Sequence, residues 1–267
     1  YWKADILGET AFADLKLLDP GDFVSVTGEV GLTKSGEPTV FSSSYLVLAK
    51  AVRPLPRTWQ ELDNVEERFR RRYLDLLSNP EVLTRFRQRS AIIHAIRSYY
   101  VDHGFLEVDT PILQPIPGGA SARPFATHYN AYNTDVYLRI APELYLKRLL
   151  VGGFERVFEF ARCFRNEGAD PTHNPEFTQV EVYAAYWNYE DMMSSLEELI
   201  RSLVQTVFGS TALTLNGTVI DFGQSFSRRT FLDVSGGQRN DRAYKTGVQS
   251  IIQPTFVTNH PAELIPL

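Results

Sequence analysis

The spacing of apolar and polar side chains first predicts a small β module. Within residues 21–50, apolar side chains gather in two strand-like runs, 23–30 and 39–48, separated by the polar turn 34–37. Short β-rich runs joined by a glycine-containing turn are typical of a β-hairpin. Pro54 and Pro56 follow at once, and a proline-rich connector of this kind indicates a domain boundary near residues 51–60.

Helical spacing dominates three later segments. The first is expected from Asn79-Pro80 to Gly104, the second from Pro142 to Leu150 and the third over 191–208. Each begins with a residue that favours a helix start, and glycine ends the first two. The expected apolar stripes are Phe86, Ile93, Ile96 and Tyr100 in the first helix, and Met192, Leu196, Leu199, Leu203 and Val207 in the third.

Strands are expected between these helices. Residues 105–111 alternate, with apolar Leu106 and Val108 and acidic Glu107 and Asp109, which predicts a strand with one buried face. A longer hairpin is expected over 156–189. Because the strands and helices do not alternate regularly, the pattern indicates an α+β domain around an antiparallel sheet rather than a doubly wound fold.

The predicted hairpin has an apolar face that would pack in the core and a polar face that could bind a ligand. A period of two places three phenylalanines and two valines on one face, and the charged and amide side chains on the other. The polar face is then a floor suited to a ligand, because arginine binds phosphate or carboxylate and a carboxylate binds a cation. A zwitterion such as an amino acid would satisfy both, although a cross-strand Arg–Glu pair worth up to about 1 kcal/mol would explain the pattern too. The apolar face comprises Phe158, Phe160, Phe164, Val180 and Val182, and the floor Val157, Glu159, Ala161, Cys163, Arg165, Phe177, Gln179, Glu181 and Tyr183.

Composition narrows the class of protein. The 267 residues are 43% hydrophobic and 22% charged, which is enough for a core and excludes disorder. A net charge of −5 argues against binding nucleic acid through the overall field. The single cysteine, Cys163, excludes an internal disulfide framework and fits a reducing compartment such as the cytoplasm. Neither a signal peptide nor an apolar run long enough to span a membrane is present, and the abrupt ends suggest a fragment.

Three ordered motifs resemble those of the class II aminoacyl-tRNA synthetases of the lysyl type. Residues 164–168 (FRNEG) and 172–179 (THNPEFTQ) are similar to motif 2, and residues 104–113 (GFLEVDTPIL) to motif 1. Residues 139–149 (RIAPELYLKRL) resemble the lysyl-type segment between them. The similarity extends from about residue 21 to 233 and resumes over 254–261.

The resemblance implies a fold and its division into domains. The expected fold is the synthetase antiparallel sheet flanked by helices, preceded by a partial OB-fold β-barrel that binds the anticodon. The implied domains are the partial OB fold over 1–52, a linker and the start of the catalytic domain over 53–78, and the catalytic domain over 79–267, with motifs 1 and 2 but without motif 3.

The implied activity is that of a lysine–tRNA ligase in the cytoplasm. ATP and L-lysine would form lysyl-adenylate, with Mg²⁺ as cofactor, and the lysyl group would pass to tRNA(Lys). Motif 1 implies a homodimer through the 79–113 region, and no membrane association is expected. A paralogue that delivers lysine to a lipid or a protein, or a non-catalytic RNA-binding fragment, is the alternative.

The resemblance also assigns roles to single residues. Arg165 would be catalytic, between the lysine carboxylate and the α-phosphate, and the same arginine belongs to both substrate sites. Read individually, His173 could be a plain loop residue, Glu143 a first-turn helix partner and Gly119 part of a turn. The remaining implied residues are Glu167, His173 and Phe177 for ATP, and Gly119, Glu143, Glu181 and Tyr183 for lysine.

The chain departs from the family pattern in several places. Motif 3, the metal carboxylates and the main carboxylate for the lysine ammonium are missing, so the metal ligands are expected beyond Leu267 and residues 1–267 alone are expected to form adenylate poorly. Residues 1–21 do not supply the first OB-fold strands, and only a short run bridges 233–254, where the family has a longer insertion. The arginines at 68 and 70–72 are interpreted as a solvated helix face or an interdomain contact rather than a tRNA contact.

Overall fold

We describe residues 1–53, 55 and 62–265 of a computed structural model of the protein. The chain forms two compact units, Tyr1–Phe86 and Arg87–Leu267. Pro54 and Pro56, on which the predicted connector rests, lie outside the described residues. The division at residues 52 and 78 therefore stays a prediction.

The first unit is built on the predicted hairpin. Its strands pair antiparallel, and the turn is closed by a bond from the Thr33 nitrogen to the Glu37 oxygen at 3.0 Å. Two short helices, separated by Gly8, occupy residues 4–14, so this segment adds no strand to the pair, and the described strands form no closed barrel. The elements are α1 (Ala4–Leu7), α2 (Glu9–Asp14), the 3-10 helix Leu15–Leu17, β1 (Phe23–Leu32), β2 (Pro38–Ala49), α3 (Val65–Arg70) and α4 (Arg72–Ser78).

The arginine run of this unit has two different environments. Arg70 and Arg71 pair with glutamates one turn earlier on α3 and are exposed, as expected for a solvated face. Arg68 and Arg72 instead pair with the fully buried Asp75, so the solvated interpretation is wrong for them. Asn79 donates to the same carboxylate at 2.7 Å. Burial works to raise the pKa of Asp75, but the bonds from Asn79 and Arg68 and the arginine charges outweigh it and lower that pKa.

The second unit contains the three predicted helices and the predicted long hairpin, and the α+β class is confirmed. The elements are α5 (Pro80–Asp102), β3 (Leu106–Glu107), β4 (Leu113–Gln114), β5 (Ala126–Tyr129), the 3-10 helix Asn130–Tyr132, β6 (Thr134–Leu138), α6 (Glu143–Val151), β7 (Arg156–Phe164), β8 (Glu176–Ala184), α7 (Tyr189–Phe208), β9 (Ala212–Leu215), β10 (Thr218–Asp221), β11 (Ser227–Thr230), α8 (Phe231–Val234), α9 (Asp241–Val248), β12 (Thr255–Thr258) and the 3-10 helix Ala262–Leu264.

Short sheets organise this unit. The order β3-β7-β8 forms one sheet and β4-β6-β5 another, while β9 pairs with β10 and β11 with β12. Most pairs are antiparallel, but β3 with β7 and β11 with β12 are parallel. The core lies between the apolar face of the β7–β8 hairpin and α5 and α7; its buried side chains are Tyr99, Tyr100, Phe105, Phe158 and Leu199.

Two sequence predictions are wrong in detail. The strand over 105–111 contracts to the two residues of β3, with Phe105 buried and Leu106 48% exposed. Phe105 packs edge-on against Tyr100 in the core, with ring centres 5.2 Å apart, and burial of the larger aromatic ring removes more apolar surface from water than burial of Leu106 would. On α7 the small Ser195 is buried and Leu196 is 38% exposed. The Tyr99 hydroxyl of α5 donates to the Ser195 carbonyl at 3.0 Å, a contact between helices that spacing within α7 cannot predict.

Among the described residues, no helix combines the length and the hydrophobicity that crossing a membrane requires.

Candidate active site

The β7–β8 hairpin builds the predicted floor. Its register pairs Glu159 with Glu181, Ala161 with Gln179 and Cys163 with Phe177. Residues directly opposite each other in an antiparallel pair project to the same face. The predicted division between an apolar face and a polar face is therefore confirmed.

Glu181 is the central acid of the floor. It is half-buried and accepts hydrogen bonds from the Gln179 amide at 2.6 Å and the Tyr183 hydroxyl at 3.0 Å. Burial raises the pKa of Glu181, and the charges of Glu143 and Glu159 act in the same direction, against the Tyr183 bond. Burial likewise raises the pKa of Tyr183, which stays a neutral donor. The floor thus presents a partly desolvated carboxylate that would gain from a cationic ligand.

Gly119 and Glu143 meet at the start of α6. Gly119 has φ +85, in the left-handed region, and a Cβ placed on it would lie 2.9 Å from the Glu143 Cβ and 3.2 Å from that of Ala141. Only glycine therefore allows the loop to approach the helix this closely. Glu143 lies in the first turn of α6 and accepts from Lys147 at 2.5 Å.

A buried ion pair joins Glu159, on the floor side of the hairpin, to Arg139, and the sequence pattern assigned this pair no function. Arg139 donates from Nη1 to Glu159 at 2.5 Å, and the Thr110 hydroxyl donates to the other Glu159 oxygen at 2.6 Å. Arg139 is 3% and Glu159 1% exposed. The signal that could have found the pair is an acidic residue within a strand and directly across from Glu181.

Arg165 and Phe177 lie together at the opposite end of the hairpin. The guanidinium carbon of Arg165 is 5.0 Å from the centre of the Phe177 ring, within the range of a cation–π contact. The backbone nitrogen of Arg165 donates to the Pro175 carbonyl at 2.9 Å. Its Nε is buried and makes no hydrogen bond to the described residues.

The loop between β7 and β8 carries the other two implied ATP residues. The carboxylate of Glu167 accepts from the Arg123 nitrogen at 3.3 Å, and the Asn166 nitrogen donates to the Arg123 oxygen at 2.7 Å. These bonds join the loop to the segment that follows Gly119. His173 is highly exposed and bonds Asp170 within its own loop at 2.8 Å. Hydrogen bonds from Thr172, and then His173, lower the pKa of that carboxyl.

The predicted residues thus form two groups. Of the predicted lysine residues, Tyr183 bonds Glu181 and the charge of Glu143 acts on it, whereas Arg165 lies beside Phe177. The bonds of His173 remain within its loop. No cluster of three or more His, Cys, Asp or Glu side chains suited to a metal ion occurs in the described part of the chain.

Comparison with known proteins places these features in a family. Residues 64–267 match the model of the tRNA synthetases class II (D, K and N). A lysine–tRNA ligase of Roseiflexus sp. (strain RS-1) is 48% identical over 284 residues, covering 94% of this chain and 58% of that protein. The lysine–tRNA ligase of Pectobacterium carotovorum subsp. carotovorum (strain PC1) is 44% identical over 303 residues, covering 100% and 60%. That of Clostridium perfringens (strain SM101 / Type A) is 42% identical over 302 residues, covering 99% and 60%.

The chain spans about three fifths of the length of these relatives. The Pectobacterium alignment is 303 positions long against 267 residues here, so at least 36 positions of the relative face gaps in this chain. The expected shortening over 233–254 stays a prediction, since the alignment length does not locate the gaps. The model match covers more than half of the chain and includes both motifs, and the chain therefore belongs to the tRNA synthetases class II (D, K and N).

Proposed function

We propose that the protein containing this chain activates L-lysine with ATP and transfers the lysyl group to tRNA(Lys). The relatives named lysine–tRNA ligase, 42–48% identical, support the proposal. The observation that carries it is the floor around Glu181. Arg139, whose charge acts on Glu181, is already paired with Glu159, while Glu181 accepts its hydrogen bonds from the uncharged Gln179 and Tyr183 side chains.

This arrangement favours lysine among the three amino acids of the family. A lysine ammonium would pair with the partly desolvated carboxylate of Glu181. An aspartate side chain would meet a like charge, and asparagine would leave that carboxylate without a cation. Gly119 and Glu143 would bind the α-amino group, and Tyr183 would border the side chain.

The chemistry requires no protein nucleophile. A carboxylate oxygen of lysine attacks the α-phosphorus of ATP, and the bond to pyrophosphate breaks. Arg165 would neutralise the anionic oxygens brought together at that point, Phe177 would stack on adenine, and Glu167 and His173 would hold the nucleotide. ATP would enter with Mg²⁺, for which the described residues form no cluster of ligands, so no step is assigned to the metal.

The proposal extends to assembly and place of action. The 79–113 region would form a homodimer interface, and the protein would act in the cytoplasm. An assay of lysine transfer to tRNA(Lys), to protein and to lipid tests which acceptor the enzyme uses. We expect transfer to tRNA(Lys).

Amino-acid-dependent ATP–pyrophosphate exchange tests the activation step in the complete gene product. Lysine should drive exchange, and aspartate and asparagine should not. Arg165→Ala should reduce exchange by about a hundredfold or more, as expected for loss of a charge-stabilising group. Arg162→Ala is the matched control, since Arg162 is exposed and pairs with Glu176 on the other face of the hairpin. Exchange driven by aspartate or asparagine, or unaffected by Arg165→Ala, would contradict the proposal.

A further inference from the structure

The activation step proposed above gives no role to the Arg139–Glu159 ion pair on the floor side of the hairpin. We propose that Glu159 is a positioning residue for side-chain specificity, because it holds the charge of Arg139 and thereby leaves Glu181 free to bind the ammonium of the substrate. The inference rests on the proposed function and deepens it.

The position of the pair supports this role. Glu159 is the direct cross-strand partner of Glu181, and both side chains project to the floor side of the hairpin. Arg139 is within electrostatic reach of Glu181, since its charge favours the ionised form of that carboxyl. Three charged groups therefore share a region with little solvent, where charges interact strongly.

Arg139 is also held in place by several uncharged partners. Its Nε donates to the Arg162 carbonyl at 2.8 Å, and its Nη1 donates to the Thr110 carbonyl at 3.0 Å. The backbone nitrogen of Arg139 bonds the Ile112 oxygen at 2.9 Å. These bonds would keep the guanidinium in the site if the charge of Glu159 were removed.

The charge balance between Arg139 and Glu159 affects how strongly Glu181 can bind the lysine ammonium. The Arg139–Glu159 pair has no net charge, so Glu181 contributes an uncompensated negative charge to the binding of the lysine ammonium. Glu159→Gln would leave Arg139 as an uncompensated buried cation across from Glu181. That cation would neutralise Glu181 and repel the substrate ammonium, whereas the nucleotide site around Arg165 would keep its groups.

The test compares lysine with norleucine, an amino acid whose side chain has the same four carbons but lacks the terminal ammonium group. In the complete gene product, Glu159→Gln should raise the KM for lysine by about tenfold to a hundredfold, the size of one to two pKa units of charge interaction. The KM for ATP and the inhibition constant of norleucine should change less than about threefold. Glu176→Gln is the matched control, because it uncouples the exposed Arg162–Glu176 pair on the opposite face.

A second variant separates charge from packing. Arg139→Gln combined with Glu159→Gln removes both charges, so it should bind lysine better than Glu159→Gln alone. Equal weakening of lysine and norleucine, or a double variant weaker than the single one, would overturn the inference and indicate a structural role. If the unchanged protein showed no lysine-dependent exchange, the proposed function itself would fail, which is a different outcome.

Discussion

Replacing Gly119 with alanine tests how the lysine site is built. Gly119 has φ +85, a conformation that costs a residue with a Cβ about 1–2 kcal/mol. For a unit of this size that cost corresponds to a fall of roughly 2–8 °C in the thermal midpoint. The added methyl group would also lie 2.9 Å from the Glu143 Cβ and 3.2 Å from the Ala141 Cβ, well inside the usual carbon contact of about 3.5–4.0 Å.

The contact should therefore move the start of α6 as well as strain the loop. A displacement of about 1 Å at a binding group can cost about a hundredfold in activity. We expect Gly119→Ala to raise the KM for lysine by about ten- to a hundredfold and to leave the KM for ATP within about threefold. Steady-state ATP–pyrophosphate exchange and thermal unfolding measure the two effects separately.

Gly237→Ala is the matched control. Gly237 lies in the same unit with φ +82, and no atom lies within 4 Å of a Cβ placed there. The control should show the same loss of thermal stability without the change in lysine KM. If both variants raised the lysine KM equally, or if Gly119→Ala raised the KM for ATP as much as that for lysine, the close approach of Gly119 to Glu143 would not be what shapes the site.

Three further predictions concern charge and burial. Because burial raises the pKa of Glu181, lysine affinity measured by calorimetry should fall as the pH drops through that raised value, and Glu181→Gln should remove this pH dependence. Burial raises the pKa of Cys163 to about 11, so a thiol reagent at neutral pH should leave it unmodified until the protein is unfolded; rapid labelling of the native protein would contradict this. Asp75→Asn leaves Arg68 and Arg72 without their buried partner and should destabilise the first unit by about 3 kcal/mol in denaturant unfolding, whereas a change below about 0.5 kcal/mol would show that the buried pairs add nothing.

Much of the local structure was predictable from the order of residues. The two hairpins follow from alternation with a period of two, and the end of α6 at Gly152 from a glycine signal. Alternation alone assigned Glu181 and Phe177 to the floor rather than the core, because adjacent strand residues must project to opposite faces. These rules act between residues that are close in sequence, and the order of residues is therefore enough to apply them.

Contacts between distant segments decided the rest. The burial of Phe105 in place of Leu106 depends on where α5 ends relative to the core. The close approach of Gly119 to Glu143 depends on how the loop around Gly119 meets α6. The pairing of Arg139 with Glu159 joins residues 20 positions apart, and no local pattern selects one of the available acids as the partner. A charge balance of this kind exists only when the chain has brought the groups together in a region that excludes water, because solvent otherwise screens them.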